Sequence, residues 1–387
     1  MIRDLIALAK VALGAAMSLR ADVRSGTRRW EPDSYDYAIR MLMRRGIAFP
    51  EARGRARAFF TEMFAQHAGD AEEYAPMLAL DEPEWWSLFA PRVVYPALAA
   101  ALFPRRGFNA LTDVAAASYV ASALLLYRFL RRFGDPATAA ALALWYARSA
   151  PVRDVAVHGL NDSTALLLWI GTLDAMAEVA EHGTGTRRFI AFTVVLSFTR
   201  PLPYLPFASG VGLALAGMAA RDPARVRAGA TIAVTSAACA VAITAVLARA
   251  GVPSTREHLE RVRESQRREV GAGVLGAVMT KLHLADAPEH SLGRWYVTAA
   301  AASVVTVLKH AVVAVVPVLA VISLGRARNR SVPLLAGALL GGLVGCIADP
   351  APSATRRTVV LPLYPVFAAG CVIGIDWALR RGFRSGR

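Results

Sequence analysis

Apolar runs of about 15–25 residues, separated by short clusters of arginine, recur along this chain of 387 residues. Runs of that length match the hydrocarbon core of a bilayer, and basic clusters between them follow the preference of cytoplasmic loops for Lys and Arg. The pattern predicts an all-α fold: a polytopic transmembrane helical bundle forming one integral membrane domain over residues 1–387. Composition agrees. The chain is 55% hydrophobic and only 19% charged, with a mean hydropathy of +0.40, whereas soluble domains carry about 25% charged residues. A single soluble core also stops growing near roughly 250–300 residues.

The net charge of +15 has its source in those arginine clusters, so no nucleic-acid partner is expected. Cys239, Cys346 and Cys371 each lie inside an apolar run with no metal-ligand spacing and read as small buried residues. The stretch from Met1 to Leu19 reads as a signal anchor, because no A-x-A cleavage site leads into a mature domain.

The spans are Leu5–Leu19, Phe108–Leu130, Ala137–Ala150, Asn161–Ala180, two short spans within Phe189–Ala220, Ala228–Ala248, Tyr296–Gly325, Ser331–Ala348 and Thr358–Leu379. That makes about ten. Arg131–Arg132, Arg187–Arg188, Arg221, Arg326 to Arg330 and Arg380 to Arg387 mark the inner side. This bookkeeping places both termini in the cytoplasm of a multi-pass cell-membrane protein. The run Val93–Phe103 is too short to cross and is expected to be re-entrant or interfacial. If it does cross, Leu5–Leu19 does not, and Ala21–Pro91 becomes cytoplasmic.

Two extracytoplasmic segments follow. Residues 20–92 form a large first loop, in which Pro50–Gln66 sets Ala52, Ala56, Phe59, Phe60, Met63 and Phe64 against Arg53, Arg55 and Arg57. That suits a membrane-surface helix. Residues 251–294 form a helical loop that opens on the capping box Ser254-Thr255-Arg256-Glu257 and runs as a charged helix to Glu269.

Charges at the membrane edge are expensive and therefore mark function by default. Five groups stand out on the outer side. In Trp30-Glu31-Pro32-Asp33-Ser34-Tyr35-Asp36-Tyr37, Asp33 or Asp36 suits a general base or the orientation of a sugar hydroxyl or metal. Equally, Asp33 reads as an N-cap, with Asp36 in the first turn of a helix. Arg92, ahead of Tyr95-Pro96, fits an anionic phosphate or a snorkelling headgroup contact. Arg200 lies in Thr199-Arg200-Pro201-Leu202-Pro203-Tyr204, a break tolerated in a membrane helix only where it lines a cavity or packs in protein. Arg356-Arg357 face outward against the charge trend, just before Leu363-Tyr364-Pro365, and suit a phosphate, a pyrophosphate or a lipid headgroup. The turn Arg153–Ser163 carries His158, Asn161 and Asp162, as acceptor or metal ligands or as a helix cap. No Walker A loop, G-x-S-x-G elbow, H-E-x-x-H or C-x-x-C pair occurs in a fitting context, which speaks against an ATP-driven pump, a serine hydrolase and a zinc site. Lys309-His310, mid-span, is isolated from any matching acid in sequence.

This arrangement resembles the GT-C superfamily of integral membrane glycosyltransferases. The likeness lies in an early span and a large first loop with Glu31, Asp33 and Asp36. It continues in the re-entering string Arg92-Val93-Val94-Tyr95-Pro96, the span start Asn161-Asp162, and the final turn Arg356-Arg357 ahead of Leu363-Tyr364-Pro365. The acids read Glu-x-Asp-x-x-Asp rather than an adjacent pair. The resemblance implies a polyprenyl-phosphate sugar as donor, used on the extracytoplasmic face, with its lipid tail between spans among membrane lipids. Its phosphate would meet Arg200, Arg356 and Arg357, with Arg92, Tyr95 and Tyr204 nearby, and Asp33 or Asp36 would deprotonate the acceptor hydroxyl. Some members use a divalent metal; these residues do not demand one. Two other readings use the same residues: a transporter or flippase for a lipid-linked or anionic substrate, and a non-catalytic membrane scaffold whose outer acids are only caps.

Overall fold

The computed structural model describes residues 2–24, 30, 32–65, 92–200, 202–249, 251, 331–348 and 361–385. The capping box at Ser254, the span Tyr296–Gly325 with Lys309-His310, and Arg356-Arg357 lie outside the described residues. Every regular element among the described residues is an α-helix. These are α1 (Ile2–Arg24), α2 (Pro32–Arg44), α3 (Phe49–Ala65), α4 (Val94–Arg106), α5 (Asn109–Leu130), α6 (Pro136–Arg148) and α7 (Ala150–Val157). They continue as α8 (Asp162–His182), α9 (Thr186–Ser197), α10 (Tyr204–Ala219), α11 (Pro223–Arg249), α12 (Val332–Ala348) and α13 (Leu361–Ser385).

Four of these, α5, α8, α11 and α13, are long and apolar enough to cross a membrane. At 1.5 Å per residue, α8 with 21 residues extends about 32 Å, close to the roughly 30 Å of a hydrocarbon core. The other expected spans that fall on described residues are helical but shorter or more polar. Helix α1 runs five residues past Leu19 and carries Lys10, Arg20 and Asp22, while α6 and α9 have only 13 and 12 residues. The turn expected at Arg153–Ser163 begins later than the sequence suggests. Ser149 turns extended, and Pro151, pre-set for a helix start, opens the extra helix α7.

Long-range contacts define two ends. At one, Arg131 at the close of α5 meets Asp4 at the start of α1 at 2.7 Å, and Ser331 ahead of α12 donates to Glu181 of α8 at 2.6 Å. At the other, α2 and α3 pack over the start of α5 beside α4, burying Tyr37, Leu42, Phe60, Tyr95 and Leu111 in one cluster. Helices α5, α8, α10 and α13 descend from this second end, and α1, α6, α9 and α12 climb towards it. Asp135 secures one reversal, accepting from the Ala137 and Thr138 amides ahead of α6.

The packing suits helices in lipid. Helix α10 lies between α11 and α12 at separations only small residues allow: a Cβ on Gly229 would stand 2.4 Å from the Ala214 amide nitrogen, and one on Gly337 2.4 Å from the Ala208 carbonyl. Close approach through small residues replaces the hydrophobic effect that is absent between helices in a bilayer. The outer faces stay apolar, with Val234 and Val241 of α11, Leu215 of α10 and Leu340 of α12 exposed. Exposed aliphatic belts with buried polar groups suit a membrane protein.

Candidate functional site

The site lies at the second end and is built from three chain breaks. The first is the start of α2. Pro32 opens the helix, so Asp33 is a first-turn residue rather than its cap, and Asp36 follows one turn on. Asp33 pairs with Arg92 at 3.6 Å, and Arg92 also donates through Nη1 to the Tyr37 hydroxyl oxygen at 2.8 Å. Burial, with the Asp33 charge second, pushes the Asp36 carboxyl up to about 7 against the pull of Arg40 and Arg92. Burial likewise draws Arg40 down to about 10. A carboxyl shifted this far by desolvation and a like-charged neighbour is the kind that works as a base near neutrality.

The second break is the interruption between α9 and α10, beside the start of α4. The amide nitrogens of Val93 and Val94 both donate to the Phe198 carbonyl, at 2.7 and 3.3 Å. Arg92 is therefore fixed directly beside the interrupted segment between α9 and α10. Tyr95 is fully buried, its ring 5.1 Å edge-on to Tyr37 and its hydroxyl donated to the Leu111 carbonyl at 2.8 Å. Its hydroxyl is thus engaged in holding α4 to α5. Tyr204 opens α10 just beyond the interruption.

The third break is the turn between α7 and α8. His158 ends α7 in an extended conformation. Gly159 has no room for a side chain: a Cβ there would stand 2.9 Å from the Trp30 ring and 3.1 Å from Ser34 Oγ. The turn therefore presses against the start of α2. Asn161 donates its side-chain amide to the Thr199 carbonyl at 2.7 Å. Asp162, the first residue of α8, forms a buried ion pair with Arg200 Nη1. A narrow crevice, with room for about one water (≈ 10 Å³), borders this pair and is walled by Ala165, Leu166, Trp169, Leu202, Leu361 and Pro362. The Trp169 indole donates to the Pro362 carbonyl at 2.7 Å and holds α13 at the crevice.

The structure thus joins Asp33, Asp36, Arg92, Tyr95, His158, Asn161, Asp162, Arg200 and Tyr204 at one end of the bundle. Sequence reasoning missed Tyr37, Arg40, Ser34 and Trp169. Asp36 and Arg40 stand four apart on one helix, a spacing that signals an ion-pair face. Nothing local marks Trp169, whose partner is 193 residues away. Ser34 Oγ and Asn161 Oδ1 are buried without a hydrogen-bond partner among the described residues, an expensive state unless a ligand or water completes them. Also missed was Asp174, fully buried at the opposite end, where it meets Arg132 at 2.7 Å, Arg128 at 3.8 Å and Arg188. An acid inside an apolar run was the available signal. Its arginine partners make it an anchor between α5, α8 and α9.

No group of three or more His, Cys, Asp or Glu able to hold a metal ion occurs among the described residues. Asp33 and Asp36 present two carboxylates facing Arg92 and Arg40, an environment that competes with a divalent cation. Comparison with known proteins found no family model, no curated protein and no solved structure that matches the chain.

Proposed function

We propose that the protein is a membrane glycosyltransferase of the GT-C type, moving a sugar from a polyprenyl-phosphate donor to an acceptor on the extracytoplasmic face. In this reading the chain crosses the membrane about ten times, keeps both termini in the cytoplasm, and turns the α2–α4 end outward. One observation carries the proposal. An acid pair with a carboxyl near neutrality, Asp33 and Asp36, is tied through Arg92 to the broken helix that holds Arg200. A base linked through Arg92 to a segment that carries a cation suits glycosyl-lipid chemistry. Apolar walls border the buried Asp162–Arg200 pair, the polarity pattern met where a lipid phosphate joins its tail.

The chemistry balances with this chain's own groups. The acceptor hydroxyl gives its proton to the Asp36 carboxylate, with Asp33 held by Arg92 alongside. The acceptor oxygen bonds to the sugar's anomeric carbon, and the bond from that carbon to the phosphate oxygen breaks. Its electron pair leaves on the polyprenyl phosphate, whose charge Arg200 stabilises. Arg356 and Arg357 join as phosphate ligands on the sequence argument alone.

The test presents purified protein in nanodiscs with a panel of polyprenyl-phosphate sugars, alongside Asp33→Ala and Asp36→Ala. Sugar transfer that is lost in either variant supports the enzyme. Movement of the lipid between leaflets without bond cleavage favours a flippase. Binding with neither favours a scaffold.

A further inference from the structure

Arg200 is 6% exposed and Asp162 2% exposed, so neither can stay unpaired without a large penalty. The pair borders the apolar crevice directly. An anionic group that reaches Arg200 from the crevice therefore competes with the carboxylate already there for the guanidinium's charge and its Nη1 donor. We propose that Asp162 is a displaceable counter-ion, which yields Arg200 to the phosphate of a polyprenyl lipid and so sets the site's affinity for phosphorylated lipids. The inference rests on reading the 198–203 interruption as the phosphate site, and goes beyond it by giving Asp162 the role of competitor.

Three features make the exchange feasible. A phosphomonoester carries about −1.5 to −2 charge near neutral pH and brings more acceptor oxygens than a carboxylate, so it is the stronger partner for a guanidinium. Asp162 occupies the first turn of the 21-residue helix α8, where the helix dipole favours an anion even after Arg200 is taken away. The interruption does not depend on the ion pair for its position: Asn161 holds the Thr199 carbonyl, and the Val93 and Val94 amides hold that of Phe198. The exchange also bears on turnover. The product, a polyprenyl monophosphate, is more highly charged than the sugar-bearing phosphodiester, and the Asp162 carboxylate nearby offsets part of its hold on Arg200.

The test measures binding of a tritiated polyprenyl monophosphate to the full chain in nanodiscs, with uncharged polyprenol as control. Asp162→Asn is expected to bind the phosphate at least tenfold more tightly than wild type and the polyprenol no differently. Adding Arg200→Gln to that variant is expected to abolish the gain. Binding in Asp162→Asn that equals or falls below wild type overturns the proposal. A wild-type protein that ignores the monophosphate altogether overturns the phosphate reading of the interruption itself, a separate and recognisable failure. Because Asp162→Asn leaves Arg200 without its partner and is liable to misfold, a second measurement uses the unmodified chain. A hydrophobic carbodiimide labels buried carboxyls, and labelling of the Asp162 peptide is expected to rise several-fold at saturating monophosphate. Labelling that stays flat while the lipid is bound contradicts the exchange.

Discussion

Asp36 sits where ionisation is disfavoured, with a raised carboxyl near 7 against an ordinary value of 3.8. The sign of the consequence for stability follows by linkage. An acid whose folded value is raised contributes stability fully below its unfolded value, and that contribution fades as pH climbs from about 4 through about 7. Asp36→Asn should therefore unfold at a higher temperature than wild type at pH 8, with the difference vanishing near pH 4, as thermal unfolding in detergent would record. Equal melting at both pH values would contradict the burial argument. The same carboxyl acts as base only when ionised. Transfer should rise tenfold per pH unit up to about 7 and level off above, and Asp36→Asn should lower it by about 10²–10⁴-fold. A site that improves in stability when its acid is removed is the expected signature of function held against packing.

At the scale of helices, the apolar runs and the prolines carried most of the information. Pro201, Pro203 and Pro206 made the interruption between α9 and α10 readable, and Ala52, Ala56 and Phe60 made the buried face of α3 readable, because both depend on local backbone or spacing. What could not be read was pairing across the chain. Asp162 and Arg200 lie 38 residues apart, and Asp33 reaches Arg92 only because α4 returns beside α2. The raised Asp36 carboxyl depends on surroundings supplied by that return. The α10–α11 contact offers a direct check on packing. Gly229→Leu drives a side chain into the Ala214 backbone and should destabilise by about 1–3 kcal/mol or more. Val241→Leu, on the exposed face of α11, should stay within about 0.5 kcal/mol. Chemical unfolding of the two variants side by side distinguishes them, and equal losses would place α11 differently.

At the scale of the whole molecule, the described helices present two opposed ends. Acids and arginines are pinned together at both, but in different company: Asp174 is enclosed among arginines that tie helices together, whereas Asp162 and Arg200 border a crevice. Single cysteines at exposed positions on the two ends, replacing Arg55 (55% exposed) and Arg380 (77% exposed) in a chain freed of Cys239, Cys346 and Cys371, should react with a membrane-impermeant maleimide from opposite sides of sealed cells. Arg55→Cys is expected to label from outside. Labelling of both from one side would mean that the ends do not face opposite compartments.

The central claim is that the interruption carrying Arg200 receives the donor's phosphate. Donor affinity measured for wild type, Arg200→Ala and Arg328→Ala, each compared as folded protein, tests it most directly. The account predicts that Arg200→Ala weakens binding by about tenfold to a hundredfold, while Arg328→Ala, in the basic cluster assigned to the cytoplasmic side, leaves it unchanged. Equal weakening by the two substitutions, or none by either, would contradict it.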